Sequence, residues 1–303
     1  MTKNNFPKVS IIFSNFNGGI EPIECLESIR KLTYPQEKIE VIVVDNGSTD
    51  GSREQIEKEF PKVKLIKLKK EIGLSASINL GIKRSRGSYI LVGNDDIVFE
   101  KNSITKMVEY LENHQDIGVL GGKVFYKDRP KTLTDFVSGF NFYLGSIQKP
   151  KKKSDILWLQ SCSVMIPKRV FDDIGFFDEG FYPLYFDDFD FCLRAKRAGY
   201  RLAHNPEAIF WHGYGKTTKK FQSSKFYFWW QKNKIRFMFK NATPLQITTA
   251  LVSQFLASIV KSLTTRQNLL FPLVKALGVN LIQLPQTIRL RKNQTSQYAK
   301  KPK

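Results

Sequence analysis

Three short, β-branched apolar runs constrain this chain most: Val9 to Phe13, Val41 to Val44 and Tyr89 to Val92, each ending abruptly in Asn, Asp, Ser and Gly. Near-continuous apolarity over so few residues is the pattern of strands covered on both faces. A weaker run, Val63 to Leu68, predicts a fourth strand. Between the runs, Ile23, Leu26, Ile29 and Leu32 recur at three-residue steps, and Leu74, Ile78 and Ile82 at four, which is helical spacing. Strands alternating with helices predict an α/β fold with a mainly parallel sheet and right-handed crossovers. Such a sheet binds ligands outside the carboxyl ends of its strands. The clusters Ser14 to Gly19, Asp45 to Ser52 and Gly93 to Asp96 are therefore expected along one edge. Each alone reads as an ordinary turn; three in register predict a site.

Composition limits the class of function. With 42% hydrophobic residues among 303, the chain has enough apolar surface for a substantial core. The formal net charge of +20 suggests nucleic acid at first. However, residues 1 to 207 hold all 28 acidic residues and 31 of the 48 basic ones. The excess charge therefore belongs to the C-terminal third, whereas a nucleic-acid binder would interleave basic and stacking residues through its fold. Cys25, Cys162 and Cys192 lack disulfide-framework or zinc spacing, which fits a reducing cytoplasm. The first residues show no export-signal pattern.

After Tyr214 the pattern changes. Phe226 to Trp230 is aromatic, and Lys232, Lys234, Arg236 and Lys240 follow. Next come apolar stretches at Ile247 to Leu263 and at Leu269 to Leu284, the second interrupted by Pro272 and Lys275. Apolar faces joined to Lys and Arg without acids predict helices lying on an anionic membrane surface. A helical subdomain with a solvated basic face is the alternative. The expected organisation is 1–220 for the α/β unit, 221–293 for the basic helical region and 294–303 for a disordered tail.

The polar clusters carry a resemblance. Asp45-Asn46-Gly47-Ser48-Thr49-Asp50-Gly51-Ser52 resembles the nucleotide-binding signature of family 2 glycosyltransferases, and Gly73 to Ile82 resembles that family's next segment. Leu91 to Asp96 is similar to its metal-binding turn, and Tyr185 to Arg194 with Ala198-Gly199-Tyr200 to its catalytic acid segment. The resemblance spans roughly residues 8 to 215 and implies a GT-A fold, that is, a Rossmann-like, mainly parallel sheet flanked by helices. It implies a nucleotide-diphosphate sugar donor and Mg2+ or Mn2+. A hard cation that bridges phosphates takes carboxylate oxygens.

The resemblance implies Asp96 as metal ligand, with His212 approaching the metal or diphosphate. It assigns Asp45 to the base of a UDP or dTDP donor, with Asn15 and Asn17 beside it. Asn46, Ser48, Gly73, Asn79 and Asp95 complete the nucleotide-binding candidates. Inversion needs a base for the acceptor hydroxyl, and the resemblance gives that role to Asp188. Asp187, Trp158 and Trp211 are acceptor-side candidates, Trp211 equally a packing residue. Asp190 and Arg194, at i and i+4, read as a helix-surface ion pair. Two departures stand out: Asn94 where the metal turn usually begins with an acid, and Glu71 where relatives carry Asn. The processive-synthase mark Gln-x-x-Arg-Trp is absent from the sequence. The expected partners are a sugar nucleotide, a glycan or lipid-linked acceptor and an anionic membrane, without nucleic acid. A catalytically inactive nucleotide-binding relative is the competing possibility.

Overall fold

The computed structural model describes residues 6–134, 137–152, 155–159, 162–213 and 224–299. The predicted alternation is realised as β1 (Val9–Asn15), α1 (Glu21–Arg30), β2 (Ile39–Asp45), α2 (Ser52–Glu59), β3 (Lys64–Lys67), α3 (Leu74–Lys83) and β4 (Tyr89–Asn94). Next come β5 (Ile97–Phe99), α4 (Ser103–Asn113), β6 (Ile117–Tyr126), β7 (Val137–Asn141), β8 (Ser146–Gln148) and β9 (Trp158–Leu159). β10 (Ser163–Pro167), α5 (Lys168–Ile174), α6 (Asp187–Arg197) and β11 (Arg201–His212) complete the α/β part. Four helices follow: α7 (Ser224–Asn241), α8 (Pro244–Thr265), α9 (Leu270–Ile282) and α10 (Leu284–Ala299).

The main sheet has eight strands in the order β3-β2-β1-β4-β10-β6-β11-β5. β1 pairs in parallel with β2 and β4, and β2 with β3, while β10 runs antiparallel to both its neighbours. Side-chain alternation explains why the strand runs are apolar throughout. Val9, Ile11 and Phe13 enter one core with Ile23, Leu26 and Ile29 of α1, while Ile12 enters the other with Ile78 and Ile82 of α3. Each fully buried aliphatic side chain contributes about 1.5–3 kcal/mol. Gly81 lets α3 close on the sheet: a Cβ there would lie 2.5 Å from Ile12 Cγ2.

A second, three-stranded sheet, β8-β7-β9, is antiparallel. Between it, α6 and α7 lies an aromatic core of Phe140, Phe181, Phe186, Phe189 and Phe237. Phe140 and Phe237 meet edge-on at 5.2 Å, the geometry that the ring quadrupole favours. The α7 helix is thus built into the α/β part.

This changes the reading of the basic region. Lys234, Arg236 and Lys240 are buried. Arg236 donates to both oxygens of Asp178 at 3.1 Å, and Lys240 donates to Asp178 and Asp190 at 2.8 Å each. Asp190 also receives Arg194 Nε at 2.9 Å, so the expected surface pair is in fact an interior one. Burial alone would raise Asp190, but Lys240 and Arg194 hold it below the usual carboxylate range. Burial, and then Lys261, push the Lys234 amine down to about 7. These groups therefore do not face a partner.

Pro272 sits in the first turn of α9, where the missing N–H costs no helical bond. The helix consequently runs through the expected interruption. α8 starts from a capping box in which Thr243 Oγ1 accepts from Gln246 N while the Gln246 side chain accepts from Thr243 N. α10 continues to Ala299, so residues 294–299 are helical where a disordered tail was expected; 300–303 lie outside the described residues.

Candidate active site

The strand ends meet as the register dictates. Asn15 is the Cα partner of Asp45, and Ser14 that of Asn94. Asp45 is fully buried, and its Oδ1 accepts from Asn15 Nδ2 at 2.9 Å. The same amide nitrogen lies 3.1 Å from Ser48 Oγ and 3.0 Å from Ser52 Oγ. Ser48 Oγ also accepts from the Asn17 backbone N–H at 3.0 Å, and Asn17 Oδ1 accepts from Thr49 N at 2.8 Å. Asn17 takes the left-handed conformation, φ 53°. Two loops from separate strands are thus cross-braced around a buried carboxylate.

The third cluster turns from β4 into β5. Because β5 pairs with β11, His212 lies opposite Ile97 and reaches back to the turn. Its Nε2 is 3.0 Å from Asp96 Oδ1 and 3.0 Å from Asn94 Nδ2. Burial first, then the Asp96 carboxylate and Glu21, push Asp95 up to about 8. Crowded carboxylates of this kind favour a cation in their midst. Asn15 Oδ1 is buried and has no partner among the described residues. It and Asp95 Oδ2 flank the space that a Cβ on Gly18 would fill, each 2.7 Å from it. These hard oxygen donors, with the His212 imidazole, fit a divalent ion. Among the described residues no three His, Cys, Asp or Glu side chains form a preformed cage. Mg2+-like ions are commonly held by one or two carboxylates plus substrate phosphates, which matches this set. Asp95, Asp96 and His212 would hold the ion.

The remaining candidate acids, Asp187 and Asp188, lie in the first turn of α6. α6 opens after Tyr185 and Phe186, both left-handed at φ 76° and 69°. Such backbone costs on the order of 1–3 kcal/mol each, offset here by Phe186 packing in the aromatic core. The turn places Asp187 and Asp188 in the first turn of α6, where the helix dipole favours negative charge. Asp188 Oδ2 accepts from Trp158 Nε1, and Asp188 Oδ1 from the Phe189 N–H at 2.9 Å. Burial first, and then the Asp96 carboxylate and more weakly that of Asp188, raise the Cys162 thiol.

Several of the candidate residues are tied to other parts of the protein. Asn46 ties a loop: its Oδ1 accepts from Ile72 N at 2.9 Å, and its Nδ2 lies 3.5 Å from Gly73 O. Asn79 braces α3, donating to Phe177 O and Glu179 Oε1 and accepting from Phe177 N at 3.0 Å. Gly73, at φ 89°, lies against Tyr182, whose hydroxyl donates to Glu71 at 2.7 Å. Asp187 is buried and accepts from Ser75 Oγ at 2.9 Å, so it joins α6 to α3 and is not an exposed acceptor contact. Burial first, then Asp188, raise it to about 7. Trp211 alternates with His212 along β11 and so faces away from the Asp96 side. Trp158 touches the catalytic segment directly. Sequence reasoning missed Ser75, Gly18 and Glu21. Ser75 follows the noted Gly73, but nothing local to the sequence pairs it with Asp187, 112 residues away.

Comparison with known proteins agrees with this architecture. Glycosyltransferase GlyG of Streptococcus pneumoniae is 26% identical over 180 residues, covering 55% of this chain and 59% of that protein. Glycosyltransferase AglE of Haloferax volcanii is 25% identical over 213 residues, covering 69% of this chain and 68% of that protein. The match to an uncharacterized Sinorhizobium fredii protein spans only 21% of that relative. Among solved structures, the mannosyltransferase PcManGT of Pyrobaculum calidifontis, in complex with GDP-Man and Mn2+, superposes with TM-score 0.59 at 16% identity, over 98% of this chain and 85% of that one. S. aureus TarS 1-349 in complex with UDP-GlcNAc gives TM-score 0.60 at 18% identity, over 96% and 87%. The sequence model described as "Glycosyl transferase family 2" matches residues 10–175, more than half of the chain. The chain belongs to glycosyl transferase family 2.

Proposed function

We propose that the chain is an inverting glycosyltransferase that moves a sugar from a nucleoside-diphosphate donor to a hydroxyl acceptor in cell-surface glycan synthesis. The observation that carries this reading is the shared register of β1, β2 and β4. It brings Asp45, Asp95 and Asp96 to one sheet edge, and Asp187, next to Asp188, is tied to Ser75 in the first turn of α3. The buried Asp45 cradle suits a pyrimidine imide or a ribose hydroxyl, which favours UDP or dTDP. The similarity in fold to a mannosyltransferase in complex with GDP-Man makes GDP-sugars the comparison to run. A divalent ion, when bound, neutralises charge that builds on the departing diphosphate. Asp188 accepts the acceptor hydroxyl proton as that oxygen attacks the anomeric carbon; one base and one displacement invert the centre.

The acceptor is proposed to be lipid-linked and met at the inner face of the cell membrane. α8 is long and apolar enough to cross a membrane by length and composition alone. Its Leu245, Val252, Phe255, Leu256, Val260 and Leu263 are exposed, as are Phe271 and Ile282 of α9. With no acid after Glu207, this surface suits an anionic bilayer.

Calorimetric titration of UDP, dTDP and GDP with Mn2+ or chelator tests the site. Wild type is expected to bind one of them at least tenfold more tightly with Mn2+, and Asp96→Ala to lose that gain. Equal affinities with and without metal in wild type would refute the metal-dependent donor site.

A further inference from the structure

We infer that Trp158 is a positioning residue for Asp188, holding the carboxylate in the orientation that receives the acceptor proton. The inference rests on the reading of Asp188 as the base. Trp158 Nε1 donates to Asp188 Oδ2 while the Phe189 N–H donates to Oδ1 at 2.9 Å. The two donors engage different oxygens, which sets the plane of the carboxylate. The indole itself is held on two sides. Its ring stacks on Phe189 at 5.2 Å with planes 5° apart. Its backbone lies in β9, where Ser138 of β7 is its Cα partner. Trp158 thus reaches Asp188 from the second sheet, and Phe189 belongs to the same helix turn as the base.

An N–H donor that bonds the ionised carboxylate favours the charged form. Losing it raises the pH at which the base becomes protonated. An acceptor-stacking tryptophan would act differently, through acceptor KM and without moving the pH profile.

The test replaces Trp158 with β-(3-benzothienyl)alanine, which keeps the bicyclic stack but has sulfur in place of N–H, and in parallel with Phe. Thermal unfolding and nucleotide titration confirm that both proteins fold and bind donor. The expected result is a kcat about 10- to 100-fold lower at neutral pH, donor and acceptor KM within about threefold, and an acid limb of kcat displaced to higher pH. A benzothienyl variant with the wild-type kcat and pH profile would overturn the inference, as would a loss confined to acceptor KM. Asp188→Asn separates the two readings. If it turns over normally, the base assignment itself fails. If it is inactive while the benzothienyl enzyme matches wild type, only the role of Trp158 fails.

Discussion

Asp187 shows how a single buried acid makes stability depend on pH. Burial and the neighbouring Asp188 raise it to about 7, far above an unfolded Asp. The folded state therefore binds more protons than the unfolded one between about pH 4 and 7, and this residue makes stability fall as pH rises through that window. Asp187→Asn is expected to raise stability by on the order of 1–3 kcal/mol at pH 7.5 and little at pH 4, as measured by denaturant titration. An equal effect at both pH values would contradict the assigned cause. At this scale the sequence was informative about identity and poor about partners. Asp45, Asp96, Asp188 and His212 could be singled out as candidates because each sits in a short motif. That Asn79 faces Phe177, or that Ser75 meets Asp187, depends on contacts about a hundred residues apart, which no local pattern encodes.

Among elements, α6 matters most because it serves two sides. Its first turn holds Asp187 and Asp188, and its buried face carries Asp190 and Arg194 into the ion cluster with Asp178, Arg236 and Lys240 of the loop and α7. Breaking a buried pair leaves uncompensated charge, whereas removing both partners does not. Asp190→Ala, which strips Arg194 of its carboxylate and leaves Lys240 with Asp178 alone, is expected to cost about 3–5 kcal/mol, and Asp190→Leu with Lys240→Leu distinctly less. Chemical denaturation of both variants checks this; a double variant as unstable as the single would refute it. The cluster also sets an acid limit. Asp178 and Asp190 are held low by their cations against the burial penalty. Their contribution is therefore present above the unfolded value of about 4 and is lost as pH falls below it. The first four strands could be read from apolar runs, and α1 and α3 from helical spacing. The burial of α7 could not, because Lys234, Arg236 and Lys240 look like a solvated face until their carboxylate partners are known.

For the whole molecule, the helices after β11 are partly core and partly surface. Because α7 completes the aromatic core, deleting the C-terminal region would destroy the fold and would not isolate a docking module. Point changes on the exposed face are the sound probe. Phe255→Ser, Leu263→Ser and Phe271→Ser together are expected to weaken binding to anionic vesicles at least tenfold without lowering the unfolding midpoint. Undiminished vesicle binding would place any membrane contact elsewhere. The decisive measurement is release of nucleoside diphosphate from UDP-, dTDP- and GDP-sugars, with a membrane-lipid extract as acceptor source and with Mn2+, Mg2+ or chelator. The account predicts chelator-sensitive release from one donor by wild type, and a loss of about a hundredfold or more in Asp188→Asn, which still binds the nucleotide. Release by Asp188→Asn at the wild-type rate, or no release from any donor by a wild-type protein that binds none of the nucleotides, would contradict it.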